Sequence, residues 1–244
     1  MRNAVICAIF CLSLCWTARA QQRMIPHVTR LSGGFEAQVV IANLGSADQN
    51  YKLTAWNRLG TLYDETEGVL KVGETLFKNL DELFTQPEGL PEDAADVSHI
   101  TIDADPRVTV NITYKALGDG NGPAHVKESN VQTLRWRIYA GDSNVTWDGM
   151  AVVNMGERDT PLTVYAFDAE GNQAGFISPF YPVESKEKEL YLLTDIFADS
   201  RAPAAWYEVL GAEPLAVTGL RGRRDNAFLW ENEALPMEPP GGEQ

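Results

Sequence analysis

Val39-Val40-Ile41-Ala42-Asn43-Leu44-Gly45 returns 111 residues later as Met150-Ala151-Val152-Val153-Asn154-Met155-Gly156, an apolar run closed by Asn-x-Gly. The same shift, without a gap, sets Tyr51, Leu53, Ala55 and Trp56 on Leu162, Val164, Ala166 and Phe167. It also sets Asp48 and Gly60 on Asp159 and Gly171. Farther along, Leu80-Asp81-Glu82-Leu83-Phe84 resembles Leu193-Thr194-Asp195-Ile196-Phe197, and Ala104-Asp105-Pro106 resembles Ala212-Glu213-Pro214, each at a slightly different offset. Self-similarity interrupted only by such small shifts reads as one domain copied twice, with insertions in its loops.

The local period is that of strands. Phe35, Ala37, Val39 and Ile41 alternate with Glu36, Gln38, Val40 and Ala42, so one face can meet a core while the other is at least partly wet. Tyr51, Leu53 and Ala55 alternate in the same way, as do Leu162, Val164 and Ala166. Asn43 to Ser46 and Asn154 to Glu157 read as turns joining paired strands, and the next turns fall at Arg58-Leu59-Gly60 and Ala169 to Asn172, where Gly supplies positive φ. His99–Ile102 and Val108–Tyr114 flank Asp103-Ala104-Asp105-Pro106 as a hairpin with its proline in the turn, and Trp206–Leu210 and Leu215–Leu220 repeat it. Leu80–Phe84 and Leu193–Phe197 are too short for a free helix and read as single turns crossing between sheets. The expected fold is therefore all-β: two tandem antiparallel β-sandwich domains related by internal duplication.

An apolar strand ending in Asn-x-Gly, a second apolar strand and an Asp/Asn-x-x-Gly turn resemble the tandem immunoglobulin- or fibronectin-like β-sandwich repeats of exported bacterial proteins. The resemblance spans most of residues 24–225 and implies an architecture, with no catalytic residue. Periplasmic pilus chaperones also join two sandwiches at this length, but their cleft arginine and lysine find no counterpart in the sequence.

Composition sets the compartment and the boundaries. Arg2, the apolar run Ala4–Trp16 and Ala18-Arg19-Ala20 make residues 1–20 a signal peptide with cleavage expected before Gln21. Cys7, Cys11 and Cys15 all fall in that segment, so the exported chain has no disulfide, thiolate nucleophile or Cys-ligated metal. No later segment is apolar for long enough to span a bilayer. The expected organisation is repeat 1 at 24–117, a linker at 118–129 opened by Gly118-Asp119-Gly120-Asn121-Gly122-Pro123, repeat 2 at 130–235 and a disordered tail at 236–244. The formal charge is −14, and each repeat carries −7 of it, which disfavours nucleic acid and anionic membrane surfaces as partners.

A search for chemistry returns little. His27, His99 and His125 have no metal-ligand spacing, so structural or surface roles and no metal or cofactor are expected. No Gly-x-Ser-x-Gly marks a nucleophile, and acidic turns such as Asp103-Ala104-Asp105 lack a complete calcium loop. Asn111-Ile112-Thr113 and Asn144-Val145-Thr146 fit the glycosylation pattern, of consequence only in a eukaryotic host.

The distinctive feature is aromatic. Trp136, Tyr139, Trp147, Trp206, Tyr207 and Trp230 lie in repeat 2, whereas repeat 1 has a single tryptophan, Trp56. Trp136, Trp147, Trp206, Tyr207 and Trp230, with the basic island Arg221, Arg223 and Arg224, are the candidate partner-binding residues, set against the plain reading that such rings fill a core. Trp147 is singled out because its counterpart is Glu36, so the common fold does not require it. The expected function is an exported, non-enzymatic binding or structural protein of the cell envelope, periplasmic or extracellular, acting on an envelope or extracellular protein. A carbohydrate-binding module is the alternative, with polysaccharide as ligand, and a hydrolase with an unrecognised site comes third.

Overall fold

The computed structural model describes residues 22–29, 35–91, 94–116, 124–178, 182–224 and 229–237; the signal segment 1–20, the breaker cluster 118–123 and residues 238–244 lie outside the described residues. The chain is all-β, folded as antiparallel sheets around two apolar cores. In the first half, β1 (Arg23–Ile25), β6 (His99–Ala104), β3 (Gln49–Trp56) and β4 (Leu62–Leu70) form one sheet in the order β1-β6-β3-β4. The facing sheet has the order β5-β2-β7-β8, from β5 (Thr75–Asn79), β2 (Phe35–Asn43), β7 (Val108–Ala116) and β8 (Ala124–Lys127). The alternation read in the sequence explains the core: Val39, Ile41, Leu53, Ala55, Ile100, Val110 and Ile112 are all buried in the space between these sheets.

The second half is built on a longer strand. β14 (Trp206–Arg223) pairs through its first part with β11 (Leu162–Phe167) and β9 (Thr133–Tyr139), and through its last part with β10 (Thr146–Asn154) and β15 (Leu229–Asn232). β12 (Gln173–Ile177) and β16 (Ala234–Pro236) extend the first set, and β13 (Lys188–Leu192) extends the second. With β14 counted as two parts, both halves follow one strand order. The registers agree too. Leu53 stands across from Ile102 as Val164 does from Val209, and Val39 across from Ile112 as Met150 does from Gly219. The bulge between Ala55 and Trp56 in β3 recurs between Ala166 and Phe167 in β11.

Single helical turns, α1 (Leu80–Leu83) and α2 (Leu193–Ile196), follow β5 and β13 and lead the chain to the other sheet, as their length and position suggest. Gly60 and Gly171 take φ of +74° and +85° in the β3–β4 and β11–β12 turns. Several connections differ from the sequence reading. Asn43–Ser46 does not join paired strands: β2 pairs with β5 and β7, while β3 lies in the opposite sheet. Asn154–Glu157 likewise leads from β10 to β11, which are not neighbours. Asp103–Pro106 is no hairpin either, because β6 pairs with β3 and β7 with β2. Its counterpart, Gly211–Pro214, is a bend within continuous β14, where the Thr160 hydroxyl accepts from the N–H groups of Ala212 and Glu213. A corner between sheets needs the same Gly, Asp and Pro chemistry as a hairpin, so composition does not separate them.

Residues 124–127, assigned by composition to the linker, are strand β8 of the first half, and Pro236, assigned to the tail, ends β16. The halves are joined by a buried interface. Met24, on the outward face of β1, packs with Val153 and Ala216 on the outward face of β10 and β14 and with Met155 just past the end of β10. Beside it the Lys188 ammonium, 3% exposed, donates to the carbonyls of Ser98 at 2.6 Å and Val28 at 3.2 Å and lies 3.5 Å from Nδ1 of His27. Arg58 reaches over to Glu189 at 2.9 Å.

Candidate functional site

The outward face of β12-β11-β14-β9 gathers aromatic and arginine side chains. Alternation decides which residues arrive there. Along β9, Trp136 and Ile138 point into the core, so Arg135, Arg137 and Tyr139 point out. Along β11, Leu162, Val164 and Ala166 are buried, which turns Tyr165 and Phe167 outward. Phe176 on β12 stands across from Tyr165, and Trp206 on β14 across from Phe167 and Tyr139.

These side chains stack. Phe167 and Trp206 lie face to face with centroids 3.9 Å apart at 9°, and the Arg137 guanidinium sits 4.1 Å from the centre of the Trp206 ring. Tyr165 stacks on Phe176 at 6.0 Å. Phe176 is 62% exposed and Tyr139 50%. Glu208 stands directly across from Arg137 in the strand register, yet its carboxylate accepts from Arg135 at 2.5 Å. Arg137 has no acidic partner among the described residues, and its Nε is buried without a hydrogen bond.

The first half has the same face in use. Trp56 and His99 occupy the register positions of Phe167 and Trp206 and stack at 8°, and Met24 and Thr101 occupy those of Arg137 and Glu208. There the face is covered by the second half: Met24 and His99 are wholly buried, and Lys188 reaches the carbonyl beside His99. Burial, with the Lys188 charge as a second cause, holds both His27 and His99 well below the ordinary imidazole pKa, so both rings are neutral. His125 is exposed and accepts or donates at 3.1 Å to Thr113.

The residues singled out in the sequence are scattered. Trp136 is core, its Nε1 donating to the carbonyl of Leu215 at 3.1 Å, and Tyr207 is core against Phe197, its phenol pushed up to about 12 by burial. Trp147 lies across from Gly222, where a Cβ would come within 2.3 Å of the indole. Arg221 is committed to Asp148 at 2.6 Å and to the carbonyl of Tyr139, and Trp230 stands across from it, 36% exposed. Arg223 and Arg224 are exposed, and Arg224 donates to the carbonyl of Ser143. Only Trp206 falls on the aromatic face, and its ring is covered by Phe167 on one side and approached by Arg137. Stacking on a sugar needs a free ring face, which Trp206 does not offer. Arg137, Tyr165 and Phe176 were not among the candidate residues, and Phe167 entered only as the match of Trp56. The alternation of β9 around buried Trp136 and Ile138 could have pointed to Arg137.

A cleft of about 1130 Å³ opens between the halves, lined in part by Arg23, Asp103, Arg158, Lys186 and Glu213. Its cations are engaged: Arg23 bonds Glu128, Arg158 bonds Glu213, and Lys186 reaches the carbonyl of Met155. No group of three or more His, Asp or Glu side chains among the described residues could hold a metal ion. No helix among them is long and apolar enough to cross a membrane. Comparison with protein-family models, with curated proteins and with solved structures returns no match.

Proposed function

We propose that this chain is an exported, non-enzymatic two-sandwich protein of the cell envelope that works by protein interaction, through the outward face of β12-β11-β14-β9. One observation carries the reading. In the first half Met24 and His99 are wholly buried under the second half, while Arg137 and Trp206 at the matching register positions are only half-buried and are flanked by the exposed rings of Phe176 and Tyr139. Aromatic rings and arginine are the residues enriched at the energetic centres of protein interfaces. Exposed Phe176 and Tyr139 at its two sides cost solubility and are explained if a partner covers them.

The test is affinity capture from solubilised host envelope with the exported chain, residues 21–244, followed by cross-linking and mass spectrometry. A Phe176→Ser/Tyr139→Ser variant and a Trp147→Ala variant serve as controls. A protein retained by the parent and by Trp147→Ala, but lost in the double variant, supports the reading. Retention of the same protein by all three chains rejects this face, and retention of glycan alone moves the carbohydrate alternative ahead.

A further inference from the structure

We infer that the partner presents a carboxylate to Arg137, on an extended acidic peptide segment whose neighbouring apolar side chains rest on Phe176 and Tyr139. This rests on the interaction face proposed above and names what it recognises. Charge is the first argument. The face carries two guanidinium groups, Arg135 and Arg137, and one paired carboxylate, Glu208, so it is net positive within a chain of charge −14. Glu208 is directly opposite Arg137 and could have neutralised it, but is spent on Arg135. The Arg137 guanidinium lies over Trp206 with its Nε buried, which leaves the terminal Nη pair as the fork for two parallel N–H···O bonds to a carboxylate. A neutral sugar would find that Trp206 has no face to give.

The second argument removes another copy of this chain as the occupant. The first half docks through Met24, beside His99, onto Val153 and Ala216, with Ala151 buried farther along the same β10 face. If a second copy were to repeat that contact on the open face, it would offer its own sheet of β5, β2, β7 and β8. The register positions there hold Ala42 for Val153, Thr109 for Ala216 and Asn111 for Thr218. Val40 stands there for Ala151 and Leu44 for Met155, so apolar positions remain, but none of Ala42, Leu44 and Thr109, the residues that Arg137 would meet, offers it a carboxylate. Arg137 likewise replaces Met24, so both sides of the internal joint have been changed. The open face therefore suits a different molecule, with an acid where the internal joint has none.

The test is selection of random twelve-residue peptides displayed on phage against immobilised residues 21–244, with the selected peptides then synthesised and their affinity read by fluorescence anisotropy. The expected peptides carry Asp or Glu next to a large apolar residue. Their binding should weaken about tenfold or more in Arg137→Gln, and equally when the peptide acid is changed to its amide, because a charged partner left unpaired at an interface loses at least that much. The two changes together should cost little more than either alone. Unchanged melting of Arg137→Gln excludes loss of fold as the cause. Neutral peptides whose binding is lost in Phe176→Ser/Tyr139→Ser but kept in Arg137→Gln would overturn the carboxylate and leave the face standing. Peptides indifferent to all these variants would overturn both. Self-association of the chain, abolished by Phe176→Ser, would overturn the exclusion of a second copy.

Discussion

Asn43 and Asn154, 111 residues apart, are both shut away from solvent and brace their turns with the same bonds. Each Oδ1 accepts from the N–H two residues on, Gly45 at 2.8 Å and Gly156 at 2.9 Å. Each Nδ2 donates to a carbonyl four residues on, Ala47 or Arg158, and to the segment before the edge strand, Leu70 and Lys71 or Val183. The side chain thus ties the corner between sheets to a distant loop. This is why an apolar strand can end abruptly at Asn-x-Gly in both halves.

Asn154→Ala should destabilise the chain by about 2–4 kcal/mol, since it strands a buried N–H and two carbonyls. Asn154→Asp should be at least as costly, because it sets a carboxylate against carbonyls that need donors. Urea denaturation of both variants checks the order. An Asp variant near the parent would mean that the amide bonds contribute little.

These asparagines were legible as turn residues, and the strands around them as alternation; what each turn joins was not. Asp103–Pro106 and Gly211–Pro214 have the composition of hairpins, and only the pairing of β6 with β3 and of β7 with β2 makes the first a corner. Pairing across more than forty residues leaves no local mark. The same holds at the candidate face, where Phe167 and Trp206 meet only because β14 runs beside β11. Trp136 is the opposite case: its strand alternates plainly enough to have placed it in the core.

The joint between the halves should hold after the chain is cut. Met24, Val153 and Ala216 are fully buried across it, and Lys188 is buried against carbonyls of the first half. Cleavage within 117–123 should leave two fragments that co-elute on size exclusion, contrary to free domains on a linker. Lys188→Met should weaken that association, as it leaves the Val28 and Ser98 carbonyls short of a donor at about 1–3 kcal/mol for a buried group. Fragments that separate without denaturant would show that the joint is marginal.

Acid should loosen the same joint. His27 and His99 stay neutral in the native state well below the usual imidazole range, through burial first and the Lys188 charge second, with Lys186 adding to His99. The unfolded chain takes up a proton at each ring below about pH 6.5, so it binds more protons than the native chain there. Stability is full above that pH and falls as pH drops, by up to about 1.4 kcal/mol per pH unit for each ring. Glu187 and Glu231, raised by burial, act in the opposite sense just above their ordinary value of 4.5. Between pH 7 and 5.5 the histidines dominate. The melting temperature should fall over that interval, and His99→Phe should reduce the slope. A flat parent profile would show that both rings reach solvent.

Trp147 and Gly222 should behave as one unit. They face each other across β10 and β14, and a Cβ at Gly222 would stand 2.3 Å from the indole. The atoms it meets belong to a large ring packed against the strand, so Gly222→Ala should cost about 1–3 kcal/mol through displacement of that ring. Trp147→Ala opens the space, and Gly222→Ala in that background should cost much less. A double-mutant cycle by urea denaturation measures the coupling, expected at about 1 kcal/mol or more for residues in contact. Additive effects would mean that the indole swings away freely. The aromatic at position 147 would then be a mobile surface group, and its presence across from Gly222 would call for a reason outside the packing of β14.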